Sequence, residues 1–246
     1  MGSGQYPFFS ASFSSTQGSV STSSKGKLFV IAGSDGSGKA TQTALLADAL
    51  RKNHYLVAVY DFPTYTSFYG TMIADYLTGK YGDATAISPY LASLLYALDR
   101  KEQLPAIQAD LARGAIVLCN RYVESNIAHQ AIKLPKKKQQ AFIDWLLYLE
   151  YEYFSLPKPA CTFFLYVPYT FAAKMVLKKA ARRYLAGKKK DMHEANLEHQ
   201  KKAEAMYLSL AKQPGWVRID CIHRGRLRSK EDIHRQLLGH LLSYLS

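Results

Sequence analysis

The stretch Leu28-Phe-Val-Ile-Ala-Gly-Ser-Asp-Gly-Ser-Gly-Lys39 decides the fold. Its first five residues are an unbroken apolar run, which marks a short strand buried on both faces, as in a parallel sheet. Gly33 to Lys39 then fits G-x-x-x-x-G-K, and the spacing of Leu45, Leu46, Ala49 and Leu50 reads as a helix directly behind it. Strand, glycine-rich turn and helix, in that order, form the context in which this motif holds phosphate. The glycines let successive N–H groups point inward, the helix adds its positive end, and Lys39 adds a point charge. The residues expected to cradle a nucleotide phosphate are Gly33, Ser34, Asp35, Gly36, Ser37, Gly38, Lys39, Ala40 and Thr41. One position departs from the motif. A Ser or Thr after the lysine would offer Mg²⁺ a hydroxyl, but Ala40 stands there and Thr41 comes one residue late.

Further strands are expected over 56–62, 116–119, 162–167 and 216–220, each an apolar run bounded by Gly, Pro or polar residues. Helices are expected between them. One starts at Ser88-Pro89, with Pro at the first helical position, and Pro105 should bend or interrupt it. Others fall over 123–132, 137–153, 169–185 and 193–212. Ser229-Lys-Glu-Asp232 opens the last one as a capping box. Strands alternating with helices imply right-handed crossovers. The expected fold is therefore a three-layer α/β P-loop domain over 25–246, with a five-stranded parallel sheet covered by helices on both faces.

Residues 1–24 differ in character, with nine serines and no charged side chain. They lack a basic region, a continuous apolar region and any Arg, so neither a secretory signal nor a mitochondrial leader is expected, and a disordered tail is. At 246 residues, with 48% hydrophobic and 21% charged, the composition excludes collagen-like, coiled-coil and largely disordered chains. The net charge of +13 favours an anionic partner without choosing among nucleotide, nucleic acid and acidic surface. Cys119, Cys161 and Cys221 lie far apart in or beside apolar runs, which suits buried reduced thiols in a reducing, cytoplasmic setting. No apolar run approaches the length of a membrane span.

Beyond the P-loop, several segments taken in order resemble the thymidylate kinase family over 25–246. They are Asp35 within the P-loop, Phe62-Pro63 after the second strand, Leu94-Leu-Tyr-Ala-Leu-Asp-Arg100, Asn120-Arg121-Tyr122 after the third strand, and Ser125-Asn126. The region 182–194 occupies the place of the family's lid. The resemblance implies transfer of the γ-phosphoryl of ATP to dTMP, with Mg²⁺, and a homodimer through the helix face around Leu91 and Leu98. It implies that Asp35 lies near the acceptor's sugar and helps position its phosphate. Phe62 and Pro63 would shape the acceptor site, Tyr96 stack on the base, Arg100 reach the base edge, Arg121 grip the phosphate and Asn126 bond the pyrimidine edge. His129 and Gln130 are further acceptor-site candidates. Lys39 and the lid residues Arg182 and Arg183 would stabilise charge on the transferring phosphoryl, since the P-loop itself carries no Arg.

The residues also make chemical sense by themselves. An aromatic is a stacking platform for a base, an amide carries both a donor and an acceptor, and a guanidinium fork matches phosphate oxygens. Asn120 stands where the family has an acid, so, with Ala40, the protein's hold on Mg²⁺ is depleted; Asn120 would act through a bound water. The segment 221–228 is expected to back the adenine. Two other readings stay open on sequence alone: a related kinase with another nucleoside monophosphate acceptor, and a non-catalytic P-loop protein binding nucleotide or nucleic acid. The run Lys136-Lys-Lys138 has no interleaved aromatics, so nucleic acid is not the expected partner.

Overall fold

The computed structural model describes residues 25–82, 86–172 and 197–245. The strands β1 (Lys27–Ala32), β2 (Val57–Asp61), β3 (Ile116–Asn120), β4 (Cys161–Tyr166) and β5 (Trp216–Asp220) pair in parallel in the order β2-β3-β1-β4-β5. Helices α1 (Lys39–Lys52), α2 (Phe68–Leu77), α3 (Pro89–Ala112), α4 (Val123–Gln130), α5 (Lys136–Leu147), α6 (Leu197–Leu210) and α7 (Lys230–Ser243) surround the sheet. A two-stranded hairpin of β6 (Ile222–His223) and β7 (Arg226–Leu227) follows β5. The expected five-stranded, three-layer α/β fold is the one observed.

The pleat explains the layers. Alternate residues of β1 face opposite sides. Leu28, Val30 and Ala32 join one core with Leu104 and Ile107 of α3, Val123 and Ile127 of α4, and Phe142 of α5. Phe29 and Ile31 join the other with Leu46 and Leu50 of α1 and Ile233, Leu237 and Leu241 of α7. Each such buried aliphatic or aromatic side chain contributes roughly 1.5–3 kcal/mol. The cysteines Cys119, Cys161 and Cys221 are buried free thiols. Among the described residues no helix is long and apolar enough to cross a membrane. The tail 1–24 and most of the helix expected over 169–185 lie outside the described residues.

Two features differ from the sequence expectation. The helix α3 is not interrupted at Pro105 but runs through it to Ala112. The missing hydrogen bond costs on the order of 3 kcal/mol, and the burial of Leu104, Ile107 and Leu111 around it offsets that cost. Helix α2 was not expected. It packs Ile73, Tyr76 and Leu77 against Ala92 of α3 as a small satellite core.

Because all five strands are parallel, the segments after β1, β2 and β3 emerge at one edge of the sheet. The segment after β2 is fixed by Asp99 of α3. Its Oδ2 accepts from the Thr64 amide at 3.0 Å and its Oδ1 from Ser67 Oγ at 3.0 Å. Ser67 Oγ in turn accepts from the Gly70 amide at 2.9 Å and caps α2. Gly70 is required by contact: a Cβ there would sit 1.8 Å from the Thr64 carbonyl oxygen. Glu124 of α4 is the other buried carboxyl of note. Its Oε1 accepts from Tyr151 at 3.3 Å and Thr162 at 3.4 Å. Burial pushes it from 4.5 up to about 7.

The two glycines at positions 70 and 239 should respond oppositely to alanine. Gly70→Ala must displace the loop backbone and should lower Tm by several degrees. Gly239 lies in α7, where a Cβ meets nothing within 4 Å, so Gly239→Ala should gain about 1 kcal/mol of helix propensity and raise Tm by about 2–4 °C. Equal losses in calorimetry would contradict the contact argument. The Glu124 shift has a signed consequence. Its folded pKa lies above the unfolded one, so the native state holds the extra proton and stability falls as pH rises from about 4.5 to about 7. Glu124→Gln removes that fall. In urea unfolding the variant should gain on the parent by up to about 3 kcal/mol between pH 5 and pH 8.

Candidate active site

The P-loop joins β1 to α1. Gly33, Gly36 and Gly38 have φ of 148°, 82° and 90°. At Gly33 even a methyl would fail, because a Cβ would lie 2.7 Å from Ser37 Oγ and 2.8 Å from the Leu165 carbonyl oxygen. Lys39 is buried against the loop it serves. Its Nζ donates to the Ser34 carbonyl at 2.8 Å and stands 3.9 Å from Asp35 Oδ1. Ser37 Oγ is buried without a hydrogen-bond partner. Ala40 and Thr41 are exposed on the first turn of α1.

Arg121 follows β3 in a left-handed backbone conformation, φ 68°. For a residue with a Cβ this costs on the order of 1 kcal/mol, and the Arg121 amide offsets it by donating to the Ile31 carbonyl at 3.1 Å. Its guanidinium donates to Asp35 Oδ1. Asp35 therefore lies between two cations, Lys39 on the P-loop helix and Arg121 on the neighbouring strand end.

A cavity opens beside this cluster. It is lined by Asp35, Phe62, Pro63, Tyr96, Arg100, Arg121, Asn126, His129 and Gln130, so every residue assigned to the acceptor site from sequence is brought to one place. Tyr65, Leu77, Tyr122 and Ser125 also line it and were not assigned there. Leu77 comes from the unexpected helix α2. Ser125 and Tyr122 flank assigned residues in the chain, which was the available signal. Tyr96 stands half-buried on the wall, edge-on to Tyr76 with centroids 6.4 Å apart.

Two residues of the cavity carry more protein contacts than their sequence reading allowed. Arg100 is buried, and its Nε and Nη2 donate to Glu150 Oε2 and Oε1 at 2.5 and 2.6 Å. Asn126 donates from Nδ2 to the Ser93 carbonyl at 3.1 Å and to Glu150 Oε1 at 3.2 Å. Its Oδ1 is buried with no partner among the described residues. With Nδ2 taken by both contacts, the amide has only its oxygen left to offer a ligand, not the donor–acceptor pair expected. One turn further along α4, His129 Nδ1 lies 3.1 Å from His199 Nε2 of α6. Burial, with Lys133 and Lys202 nearby, pushes His199 down to about 4, so it is neutral at pH 7.

The end of β3 shows where a negative charge went. Asn120 pairs in register with Asp61 of β2, and its Nδ2 donates to Asp61 Oδ1 at 2.7 Å. Leu118 and Val57, two and four residues back on these strands, face the α1 core, so both polar side chains point to the α1 side. Asn120 Oδ1 is buried and without a partner among the described residues. Asp61 was missed because the sequence reading looked for the acid on β3 alone. Arg182, Arg183 and the whole 182–194 region lie outside the described residues.

Comparison with known proteins agrees with this arrangement. The thymidylate kinase family model matches residues 31–235. The thymidylate kinase of Mycobacterium tuberculosis is 35% identical over 191 residues, covering 77% of this chain and 87% of that protein. That of Plasmodium falciparum is 29% identical over 214 residues, covering 87% and 89%. The solved thymidylate kinase of Candida albicans, described as having broad substrate specificity, superposes with a TM-score of 0.67 at 26% identity over 89% of this chain and 92% of that one. Matched by the family model over most of its length and by a relative at 35% identity, the chain belongs to the thymidylate kinase family.

Proposed function

We propose that the cavity seats dTMP, with its pyrimidine at Arg100 and Asn126 and its phosphate at Arg121, facing ATP on the P-loop. As a thymidylate kinase the chain transfers the γ-phosphoryl of ATP to dTMP, giving dTDP and ADP. The observation that carries the site reading is the polarity of the cavity. One end offers the buried acceptor Asn126 Oδ1 beside the guanidinium of Arg100, and the other offers Arg121 bound to Asp35 of the P-loop. Thymine presents N3–H and O4 side by side, which is the complementary pattern.

The remaining roles follow from position. Tyr96 offers a stacking face to the base, and Phe62 and Pro63 close the wall opposite. His129 and Gln130 lie within reach of the sugar. Asp35 holds Arg121 in place for the acceptor phosphate and lies toward the 3′-hydroxyl. Lys39 leaves the Ser34 carbonyl for the β- and γ-phosphates when these fill the nest. The acceptor oxygen attacks in line, so no covalent intermediate is required, and catalysis consists of positioning and charge stabilisation. Arg182 and Arg183 supply that stabilisation from the lid. The hairpin after β5 backs the adenine.

Mg²⁺ belongs to the same proposal. The residues present fit a hard, largely hydrated cation: the unpartnered Asn120 Oδ1, the Asp61 carboxylate beside it and the buried Ser37 hydroxyl. Bound with ATP, the ion would neutralise charge between the β- and γ-oxygens. Asp61 fixes the Asn120 amide through Nδ2, so its oxygen would be the atom left to accept from a water of the bound cation. A homodimer through the α3 face that exposes Leu91, and a cytoplasmic setting in keeping with three reduced thiols, complete the proposal.

The direct test is ADP formation on adding dTMP, with and without EDTA: activity should require both the acceptor and the divalent ion. Arg121→Ala should raise KM for dTMP by at least about tenfold and leave KM for ATP nearly unchanged. The reverse pattern would mean that the two sites are exchanged. Arg182→Ala with Arg183→Ala should lower kcat by roughly a hundredfold with little change in either KM, the mark of an interaction made in the transition state. Full activity in that double variant removes the lid from the mechanism.

A further inference from the structure

We infer that Glu150, which does not line the cavity, is the positioning residue that decides which pyrimidine the cavity accepts. The inference rests on the reading that Arg100 and Asn126 face the base edge. Glu150 lies in the π-helical turn Tyr148–Tyr153 that follows α5, an irregular element of the kind found where a side chain must be re-aimed. It is fully buried. One carboxylate serves both base-facing residues. Its Oε2 accepts from Arg100 Nε, while its Oε1 accepts from Arg100 Nη2 and from Asn126 Nδ2.

This arrangement fixes the sign of the hydrogen-bond pattern offered to a ligand. Both inward partners of Asn126, the Glu150 carboxylate and the Ser93 carbonyl, are acceptors. Turning the amide over would set its oxygen against both of them, so Nδ2 is held inward and Oδ1 outward. The same carboxylate holds Arg100 by two of its five N–H groups and keeps its charge beside the cavity. An acceptor next to a cation matches the N3–H and O4 of thymine. Cytosine reverses both groups, placing its N3 lone pair against Oδ1 and its amino group against the guanidinium. Each mismatch buries a polar group without a partner, which is how such sites discriminate strongly.

Glu150→Gln is nearly isosteric but can offer Asn126 a donor or an acceptor, so only the Ser93 carbonyl is left to hold the amide in its sense. The ratio of kcat/KM for dTMP over dCMP should fall by about tenfold or more. The fall should come from a raised KM for dTMP and a lowered KM for dCMP, with KM for ATP unchanged. Glu150→Asp, which keeps the charge, should restore part of the ratio. In the unmodified protein, free of ligand, the side-chain amide protons of Asn126 should exchange with water far more slowly than those of exposed asparagines. That exchange measurement decides the matter if the Gln variant does not fold. An unchanged dTMP/dCMP ratio in folded Glu150→Gln, or fast exchange at Asn126, overturns the inference. Asn126→Ala separates the two levels: if it leaves KM for dTMP unchanged, the site reading itself fails. If it raises KM while Glu150→Gln leaves the ratio intact, only the role of Glu150 fails.

Discussion

The parallel pairing of β1 with β3 is the constraint on which the site depends. Its register sets Ile31 beside Asn120, so the P-loop, from Gly33, and Arg121 leave the sheet side by side. The Arg121 amide extends the ladder by donating to the Ile31 carbonyl. That bond holds Arg121 in its left-handed conformation and turns its side chain toward Asp35. A slip of one residue would reverse every side chain on β3, sending Asn120 and the apolar residues to the wrong layers. The apolar alternation of β1, divided between two cores, excludes that slip. Packing on both faces of the sheet thus fixes the position of a cation that packs against neither.

The part of the cavity at Arg100 and Asn126 obeys a different rule. Arg100 and Glu150 are a fully buried ion pair, whose desolvation consumes most of their attraction. Their value lies in geometry: two parallel hydrogen bonds fix the guanidinium, and the third bond to Glu150 fixes Asn126. A second carboxyl, Glu124, lies nearby, and its negative charge would have no matching cation. Burial raises its pKa to about 7, which keeps it largely neutral in mildly acid solution and spares the region a second buried anion. The Arg100 charge is thus met at close range by Glu150, while the buried Asp99 accepts instead from the Thr64 amide and the Ser67 hydroxyl.

How much of this was legible in the sequence depended on distance along the chain. The P-loop and strands were readable because their signals are local: an apolar run, a glycine spacing, a lysine. Helix α2 was missed because its apolar residues cover only α3, and the residues before it suggested a loop. The Asn126 amide was read as both donor and acceptor, since a sequence shows what a side chain can do and not what its neighbours have taken. Glu150 lies 50 residues from Arg100, in a glutamate- and tyrosine-rich turn that reads as an amphipathic helix end. No local pattern marks it. Asp61 was passed over for a related reason. Its partner Asn120 is its neighbour across the sheet and is 59 residues away along the chain.

On the proposed reading, the two ends of the cavity divide affinity from selectivity by their exposure. Asp35 and Arg121 are about one-fifth exposed, so water and salt moderate their attraction for each other. A dianionic phosphate can compete with Asp35 for Arg121, and the same group is shared by every nucleoside monophosphate. This end therefore supplies binding without choosing a base. Arg100, Asn126 and Glu150 are almost wholly buried, so a ligand that fails to match their pattern has no water to repair the mismatch. Selectivity then resides where the polar network is closed on the protein side and leaves the Asn126 oxygen for the ligand. The phosphate-binding cations, open to solvent and adjustable, could not perform that function.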